Sequence, residues 1–356
     1  MKEFIKTIIN RIRRIMLYRY YTRYIKSLRS TCPDIKKLTK EQKQRIQDFY
    51  TKYYGKRLPD YLWHEYYYTR NGIFSEKYIP NYILSEINAK MYNLHISKAF
   101  DDKNLYYTIF PDICKPSAFL KCINGYYYDK EKAISKEIAK KTCNNIGKAI
   151  IKPTFCSCNG DGVKHIDICN GIDKRTGKSL DKLMDEYEPN FVIQDVVQQH
   201  PELDKLCPTS VNTIRIVTYR RDMEIVIIYA VMRIGKFGSE VDNTSAGGMT
   251  CSINEEGRLS KYAICSKPAG LFDKNEAGVT FENFQVPYYE EVVKRVKEMH
   301  YRMPHFHMVG WDFTINAKNQ VEFIEMNAPF GLHQPAAGPG FGKYTEEIFI
   351  KCFGTK

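Results

Sequence analysis

Near its C-terminal end the chain carries two strand patterns separated by a turn. The segment VEFIEMN, residues 321–327, alternates with period two, and HMVGWDFTIN just upstream reads as a second strand, with the turn in Ala317 to Asn319. A two-residue loop at Lys318 and Asn319 would set Asp312 directly opposite Glu325. Glu325 and Asn327 stand two residues apart and so share a face. Asp312, Glu325 and Asn327 would then converge as three oxygen donors with two carboxylates. Such a set suits Mg²⁺, which keeps waters and takes its other ligands from phosphates. The same residues read equally well as an exposed acidic hairpin face, and the segment alone does not choose.

The rest of the composition narrows the choices. At 356 residues there is room for two or three lobes with a sizeable core. The net charge of +13 is uneven: residues 1–30 hold nine Lys and Arg against Glu3, which is +8, leaving +5 for the remainder. The chain is a mildly basic body with a basic tail, and nucleic acid, which wants a broad basic face, is not expected as a partner. Eleven cysteines are scattered, with only Cys156 and Cys158 close together and no CxxC or His/Cys spacing for zinc. Reduced thiols in a cytoplasmic protein follow, with Cys156 and Cys158 as a redox or metal pair the lesser alternative. No run approaches the roughly 18 apolar residues of a membrane span, and charges break every apolar stretch of the N-terminus, so no signal peptide is read there.

Phe4, Ile5, Ile8, Ile9, Ile12, Ile15 and Met16 recur at steps of three and four, one stripe of a helix with basic residues on the remaining surface. A basic amphipathic helix can lie on an anionic membrane surface, placing the protein on the inner face of the plasma membrane. It can also dock onto the body or a sister subunit.

Residues 31–98 read as helical and Tyr-rich, with breaks at Pro33, Pro59 and Pro80. From Leu105 the pattern shifts to short strands: YYTIF, Ala118 to Leu120, and Lys148 to Lys152. Residues 129–147 read as a polar helix, Leu180 to Tyr187 as a helix, and Phe191 to Asp195 as a strand. VNTIRIVTYR and EIVIIYAVMRIG form a hairpin around RRDM. Residues 286–302 read as a helix and 328–344 as a Gly/Pro loop.

Several segments bear chemistry. KAIIKP ends a strand in Lys152, and Gly160 and Gly162 follow in CNGDGVKH, where small residues let backbone N–H groups cradle phosphate. Gln194–Asp195–Val196–Val197 follows a strand and suits an interlobe hinge or an ordinary strand end. Arg215 and Arg233 lie in apolar strands, where a guanidinium is costly without an anion, whether a phosphate, a carboxylate ligand or a structural Asp or Glu. After them come Asn243, Gly247 and Gly248, which offer donors to an oxyanion.

In order, these pieces resemble the ATP-grasp superfamily: IKP, a glycine loop, Q-D-x-V, N-T-I-R, M-R-I-G, D-N-x-x-x-G-G, G-W-D-F and E-M-N. SVNTIRIVT, MRIGKFGSEVDNTSAGG and VGWDF are most similar to the sugar-transfer-associated ATP-grasp proteins of polysaccharide biosynthesis. The resemblance covers roughly residues 100–345. It implies an α+β class of fold, two α+β lobes gripping ATP, preceded by a mainly helical N-terminal region. The boundaries are 1–30 for the basic helix, 31–98 for the helical region, 99–195 for the N-terminal lobe and 196–356 for the C-terminal lobe.

The resemblance also implies roles. Lys103 and Lys152 look like the nucleotide lysines, Gly160 and Gly162 the phosphate loop, and Gln194, Asp195 and Val197 the adenine hinge. Arg215, Arg233 and Asn243 look like the catalytic contacts to the γ-phosphate and acyl phosphate. Asp312, Glu325 and Asn327 look like the Mg²⁺ ligands, and Gly247, Gly248, His333 and Gln334 the substrate contacts. The family hinge commonly starts with Glu where Gln194–Asp195 stands here, leaving Glu202 and Asp204 as loose candidates for the ribose. The implied reaction is ADP-forming carboxylate–amine ligation, joining a small-molecule or sugar-linked carboxylate to an amine acceptor with ATP and Mg²⁺. The alternatives are an ATP-grasp sugar or polyol kinase and a nucleotide-binding adaptor of a membrane biosynthetic complex.

Overall fold

The computed structural model describes the chain apart from residues 1, 33, 92–93, 156–159, 241, 243–246, 267–268 and 355–356, and describes the backbone alone for 2–10 and 94–95. Cys156, Cys158 and Asn243 therefore lie outside the described residues.

Four helices open the chain: α1 (Lys2–Arg29), α2 (Lys40–Tyr53), α3 (Leu62–Asn71) and α4 (Asn81–Met91). The start of α2 is fixed by a capping box, in which Thr39 Oγ1 accepts from Gln42 N and the Gln42 carboxamide accepts from Thr39 N. Two single-turn helices follow, α5 (Leu94–Ser97) and α6 (Tyr106–Ile109). The strand expected at YYTIF is thus a helical turn. Tyr106 and Phe110, four residues apart, both pack on Phe323, since a helical turn separates them by about 6 Å of rise where a strand would hold them roughly 13 Å apart.

The first sheet has the order β3-β2-β1-β7-β4-β5-β6. Its strands are β1 (Ala118–Ile123), β2 (Tyr126–Asp129), β3 (Lys132–Ile134), β4 (Gly147–Pro153), β5 (Lys164–Cys169), β6 (Ile172–Asp173) and β7 (Phe191–Asp195). The polar helix expected over 129–147 is confined to α7 (Lys136–Cys143). A hairpin takes the first residues, with Lys130 in the left-handed region at its turn and Ser135 capping the helix that follows. On one face, α7 and α8 (Leu180–Tyr187) bury Leu120, Ala149, Ile151, Ile166, Phe191 and Ile193 in a small core. Every second residue of the central strands therefore points the other way.

The short helix α9 (Pro201–Asp204) leads into the second sheet, ordered β12-β11-β10-β9-β8-β13-β14. The hairpin β8 (Thr213–Arg221) and β9 (Glu224–Ile234) forms as expected, turning at Asp222 and Met223. Sequence reading passed over β10 (Met249–Ile253), β11 (Leu259–Ser266) and β12 (Ala269–Phe272). After α10 (Tyr289–Tyr301) come β13 (Met308–Ile315) and β14 (Val321–Asn327), then α11 (Gln334–Ala337) and α12 (Thr345–Phe353).

The N-terminal helices have no core of their own. Their buried residues belong to the large core under the second sheet, with Phe49 and Tyr50 of α2 edge-on to Phe349 of α12. The helix α1 lies on α3 and α4 through Tyr18, Tyr21, Ile25 and Leu28, and Arg14 forks onto Glu86 at 2.7 and 2.6 Å. No helix among the described residues is long and apolar enough to cross a membrane.

Candidate active site

The second sheet carries a charged row on the face away from α10. Asp312 pairs in register with Arg215 of β8 and with Glu325 of β14. Asp312 is 1 % exposed, and Arg215 grips it with both Nε and Nη2, the latter at 2.7 Å. Arg233 of β9 adds Nη1 at 3.3 Å from Asp312 and turns Nη2 to Asp242 at 3.0 Å. Asp242 in turn accepts from Thr213 Oγ1. Burial pushes Asp312 up, but the two guanidiniums outweigh it and hold the carboxyl below the usual carboxylate range. Burial wins at Asp242, whose pKa is raised despite Arg233.

The pairing of Asp312 with Glu325 matches the sequence reading, by a different route. The loop has three residues, not two, with Asn319 in the left-handed region. That slip alone would have moved Asp312 off Glu325. A bulge at Ile324 restores the register, since Phe313 pairs with Phe323 while Asp312 pairs with Glu325. The bulge also changes the face. Phe323 and Met326, three apart, both enter the core, and Glu325 turns to the cleft instead of sharing a side with Phe323. Asn327 Nδ2 lies 3.4 Å from Glu325 Oε1. Gly310, paired with Asn327, leaves room that a Cβ would take from Phe330, at 3.0 Å.

The first sheet answers with lysines. Lys121, Val192 and Lys152 form one cross-strand row, on the face opposite the small core, and Gln194, Ile150 and His165 form the next. Lys103 is placed by its neighbours. Asp102 caps the turn by accepting from Asn104 N, Asn104 Nδ2 donates to Cys122 O at 3.1 Å, and Lys103 N donates to Thr154 O at 3.2 Å. Lys103 Nζ then stands 3.6 Å from Glu325 Oε2 across the cleft. Burial, reinforced by the Lys103 charge, pulls the Lys152 amine down to about 8. Lys103, Lys152 and Gln194 line one narrow slot with Tyr106, Tyr107 and Ile324.

Next to that slot opens a cavity of about 1040 Å³. Asp195, Val196, Val197 and Gln198 form one side of it, Lys148, His165 and Asp167 its floor on the first sheet, and Glu322 and Lys318 the opposite wall. Sequence reading missed His165, Asp167 and Asp242, although a step of two back from Lys152 leads to Ile150 and Lys148 on the same strand face. Gly160 and Gly162 both have positive φ, and a Cβ at Gly162 would meet the Pro153 ring at 3.0 Å.

The substrate candidates divide. Gly247 and Gly248 lead into β10, Gly247 at φ 94°, and Cys265 Sγ donates to Gly247 O. His333 is half-buried beside Tyr229, and burial together with the Arg215 and Arg233 charges drops its pKa to about 3, so it is neutral. Gln334 faces away. Its carboxamide accepts from Ile79 N and Gly340 N and donates to Tyr67 Oη and Ile79 O, which leaves it no capacity for a substrate. Glu202 sits on α9 with its carboxylate on Lys205 at 2.8 Å.

The donor set fits the group it was read for. Two carboxylates and an amide oxygen on one surface are hard oxygen ligands of the kind Mg²⁺ takes, with phosphate oxygens and water completing the shell. Among the described residues no three His, Cys, Asp or Glu are grouped so as to hold a metal.

Two antiparallel sheets facing each other over a lysine-and-carboxylate cleft make this an ATP-grasp fold. The chain belongs to the sugar-transfer associated ATP-grasp family, whose model matches residues 84–348. No curated protein matches it. Among solved structures, it is similar to the ATP-grasp ligase PsnB complexed with precursor peptide PsnA2 and AMPPNP, at 11% identity over 73% of this chain and 62% of that one, TM-score 0.41. N5-carboxyaminoimidazole synthetase from Staphylococcus aureus complexed with ADP is 12% identical over 75% and 55%, TM-score 0.40. D-alanyl-alanine synthetase A from Vibrio cholerae is 13% identical over 75% and 65%, TM-score 0.39. The chain thus spans less than two thirds of the length of each of these solved chains.

Proposed function

We propose that the protein is an ADP-forming carboxylate–amine ligase that makes an amide through an acyl phosphate. Its acid would be an acidic sugar or amino acid used in surface or capsular polysaccharide. The observation that carries this reading is the opposed charge across the cleft. Lys152 stands on the first sheet with Lys103 on the turn beside it, and Asp312 and Glu325 stand on the second sheet, with Lys103 bridging at 3.6 Å. A triphosphate with its metal is the ligand that satisfies both walls together.

In this reading Lys103 and Lys152 hold the phosphates as point charges, and Gly160 and Gly162 let the backbone approach them. Asp312, Glu325 and Asn327 would hold Mg²⁺, which would neutralise charge on the phosphates. Arg215 and Arg233 are left to face the γ-phosphate and the substrate carboxylate. The carboxylate oxygen attacks the γ-phosphorus and ADP leaves. The amine then attacks the acyl carbon, phosphate leaves, and the nitrogen loses a proton. His333, kept neutral, can orient a substrate group by hydrogen bonding. No covalent enzyme nucleophile is required.

The test gives purified protein ATP, Mg²⁺ and pools of uronic acids, amino acids and amines. ADP release that requires an acid and an amine together supports ligation. ADP release with a sugar alone and a stable phosphorylated product would replace it with a kinase.

A further inference from the structure

We propose that the exposed face of α1 seats the protein on an anionic membrane surface in one fixed orientation. The helix carries two apolar faces, and only one meets the protein. At roughly 100° of turn per residue, Tyr18, Tyr21, Ile25 and Leu28 cluster on one side and Ile12, Ile15 and Met16 on a side about 150° away. The first set packs on α3 and α4, with Ile25 fully buried. The second is 52%, 45% and 66% exposed. The body therefore cannot cover the second stripe without releasing the first. Of the stripe expected from sequence, Ile12, Ile15 and Met16 face solvent, Phe4, Ile5, Ile8 and Ile9 lie outside the described side chains, and the packing that sequence offered as its alternative belongs to the other face.

Charge says what covers it. Residues 1–60 hold seventeen Lys and Arg against five Asp and Glu, while residues 61–356 hold thirty-seven against thirty-six. Nearly all of the +13 thus sits on the helical end, and the catalytic lobes are close to neutral. Exposed Arg11 and Arg13 flank the two edges of the stripe, and exposed Arg19 and Arg23 continue it. An apolar centre with basic edges matches the boundary between acyl chains and anionic headgroups. A second copy would bring the same cations against themselves. A nucleic acid would have no use for the Ile and Met centre. Because the middle of α1 is locked by Arg14 on Glu86 and Tyr18 on Asp60 at 2.7 Å, the seated helix fixes the whole molecule relative to the surface.

The test is co-sedimentation of the full chain with vesicles of phosphatidylcholine alone and of phosphatidylcholine mixed with phosphatidylglycerol, at low and high salt. The chain is expected to bind the mixed vesicles, to ignore the neutral ones, and to release as salt rises. Ile12→Glu/Ile15→Glu/Met16→Glu and Arg19→Glu/Arg23→Glu should each weaken binding by at least roughly tenfold. These side chains are solvent-facing, so the thermal melt should not move. No sedimentation with either vesicle overturns the proposal, as does equal binding to both. A dimer that the triple substitution splits would make a second copy the occupant, and duplex DNA displacing the vesicles would make it nucleic acid. The measurement uses no substrate, so either outcome leaves the ligase reading to its own assay.

Discussion

The two walls of the cleft solve opposite problems. On the second sheet Asp312 and Asp242 lie between Arg215 and Arg233, and the charges close on one another. On the first sheet burial and the Lys103 charge both penalise the Lys152 ammonium, with Glu325 across the gap in its favour among the described residues. One wall closes its charges on one another, and on the other the charged form of Lys152 is penalised. In the proposed reading the contrast says where binding energy would enter: a polyanion would be drawn by the lysine wall, while the acid–arginine wall would have to open its own pairs to take a metal.

Breaking the acid–arginine wall should have the largest effect. Asp312→Ala leaves the buried Arg215 guanidinium without its carboxylate beside Arg233 and should lower stability by about 3–5 kcal/mol, read from urea denaturation. Replacing Arg215 and Asp312 together by Met and Leu should restore most of that loss, because Arg233 keeps Asp242. A double variant as unstable as the single one would show that the pair matters beyond its charges.

The lysine wall should respond with the opposite sign. Lys152→Met should leave the unliganded fold as stable or more stable, while weakening ATP binding by roughly tenfold to a hundredfold in titration calorimetry. A fall in both would show that Lys152 is structural.

Acidity sharpens the same contrast. The folded-state value of about 8 lies below the ordinary 10.5 of a free lysine, so the charged form is penalised in the fold. That penalty is complete below pH 8 and is relieved as pH rises toward 10.5. The stability advantage of Lys152→Met should therefore shrink over that window, measured by melts of both proteins. Nucleotide phosphates favour the charged amine, so ATP binding above pH 8 should take up a proton, detected by calorimetry in buffers of different ionisation heat.

The smallest effect should come from Arg175→Ala. Its guanidinium reaches Glu240 at 2.5 Å between the lobes, but both groups are nearly half exposed. Stability should change by under about 1 kcal/mol and the change should fade with salt.

The strand pairs of the site were legible because period two survives around Arg215, Arg233 and Asp312. The Asp312–Glu325 pairing was legible for a reason sequence does not show, since a three-residue loop and the Ile324 bulge offset each other. Bulges depend on what the next layer needs, here Phe323 and Met326 together in the core, and no local pattern announces that. Gln334 misled for a similar reason. A glutamine after the metal strand looks available, and only the fold brings Ile79, Tyr67 and Gly340 to its carboxamide. The strands at 249–272 were missed because Gly257 and Gly270 and short polar steps blur their alternation.

The most direct measurement is a crystal structure of the protein grown with Mg²⁺ and a non-hydrolysable ATP analogue. The account predicts a metal at about 2.1 Å from oxygens of Asp312, Glu325 and Asn327, with the phosphates between it and Lys103 and Lys152. A nucleotide bound elsewhere, or one seated in the cleft while Arg215 and Arg233 still close on a metal-free Asp312, would contradict it.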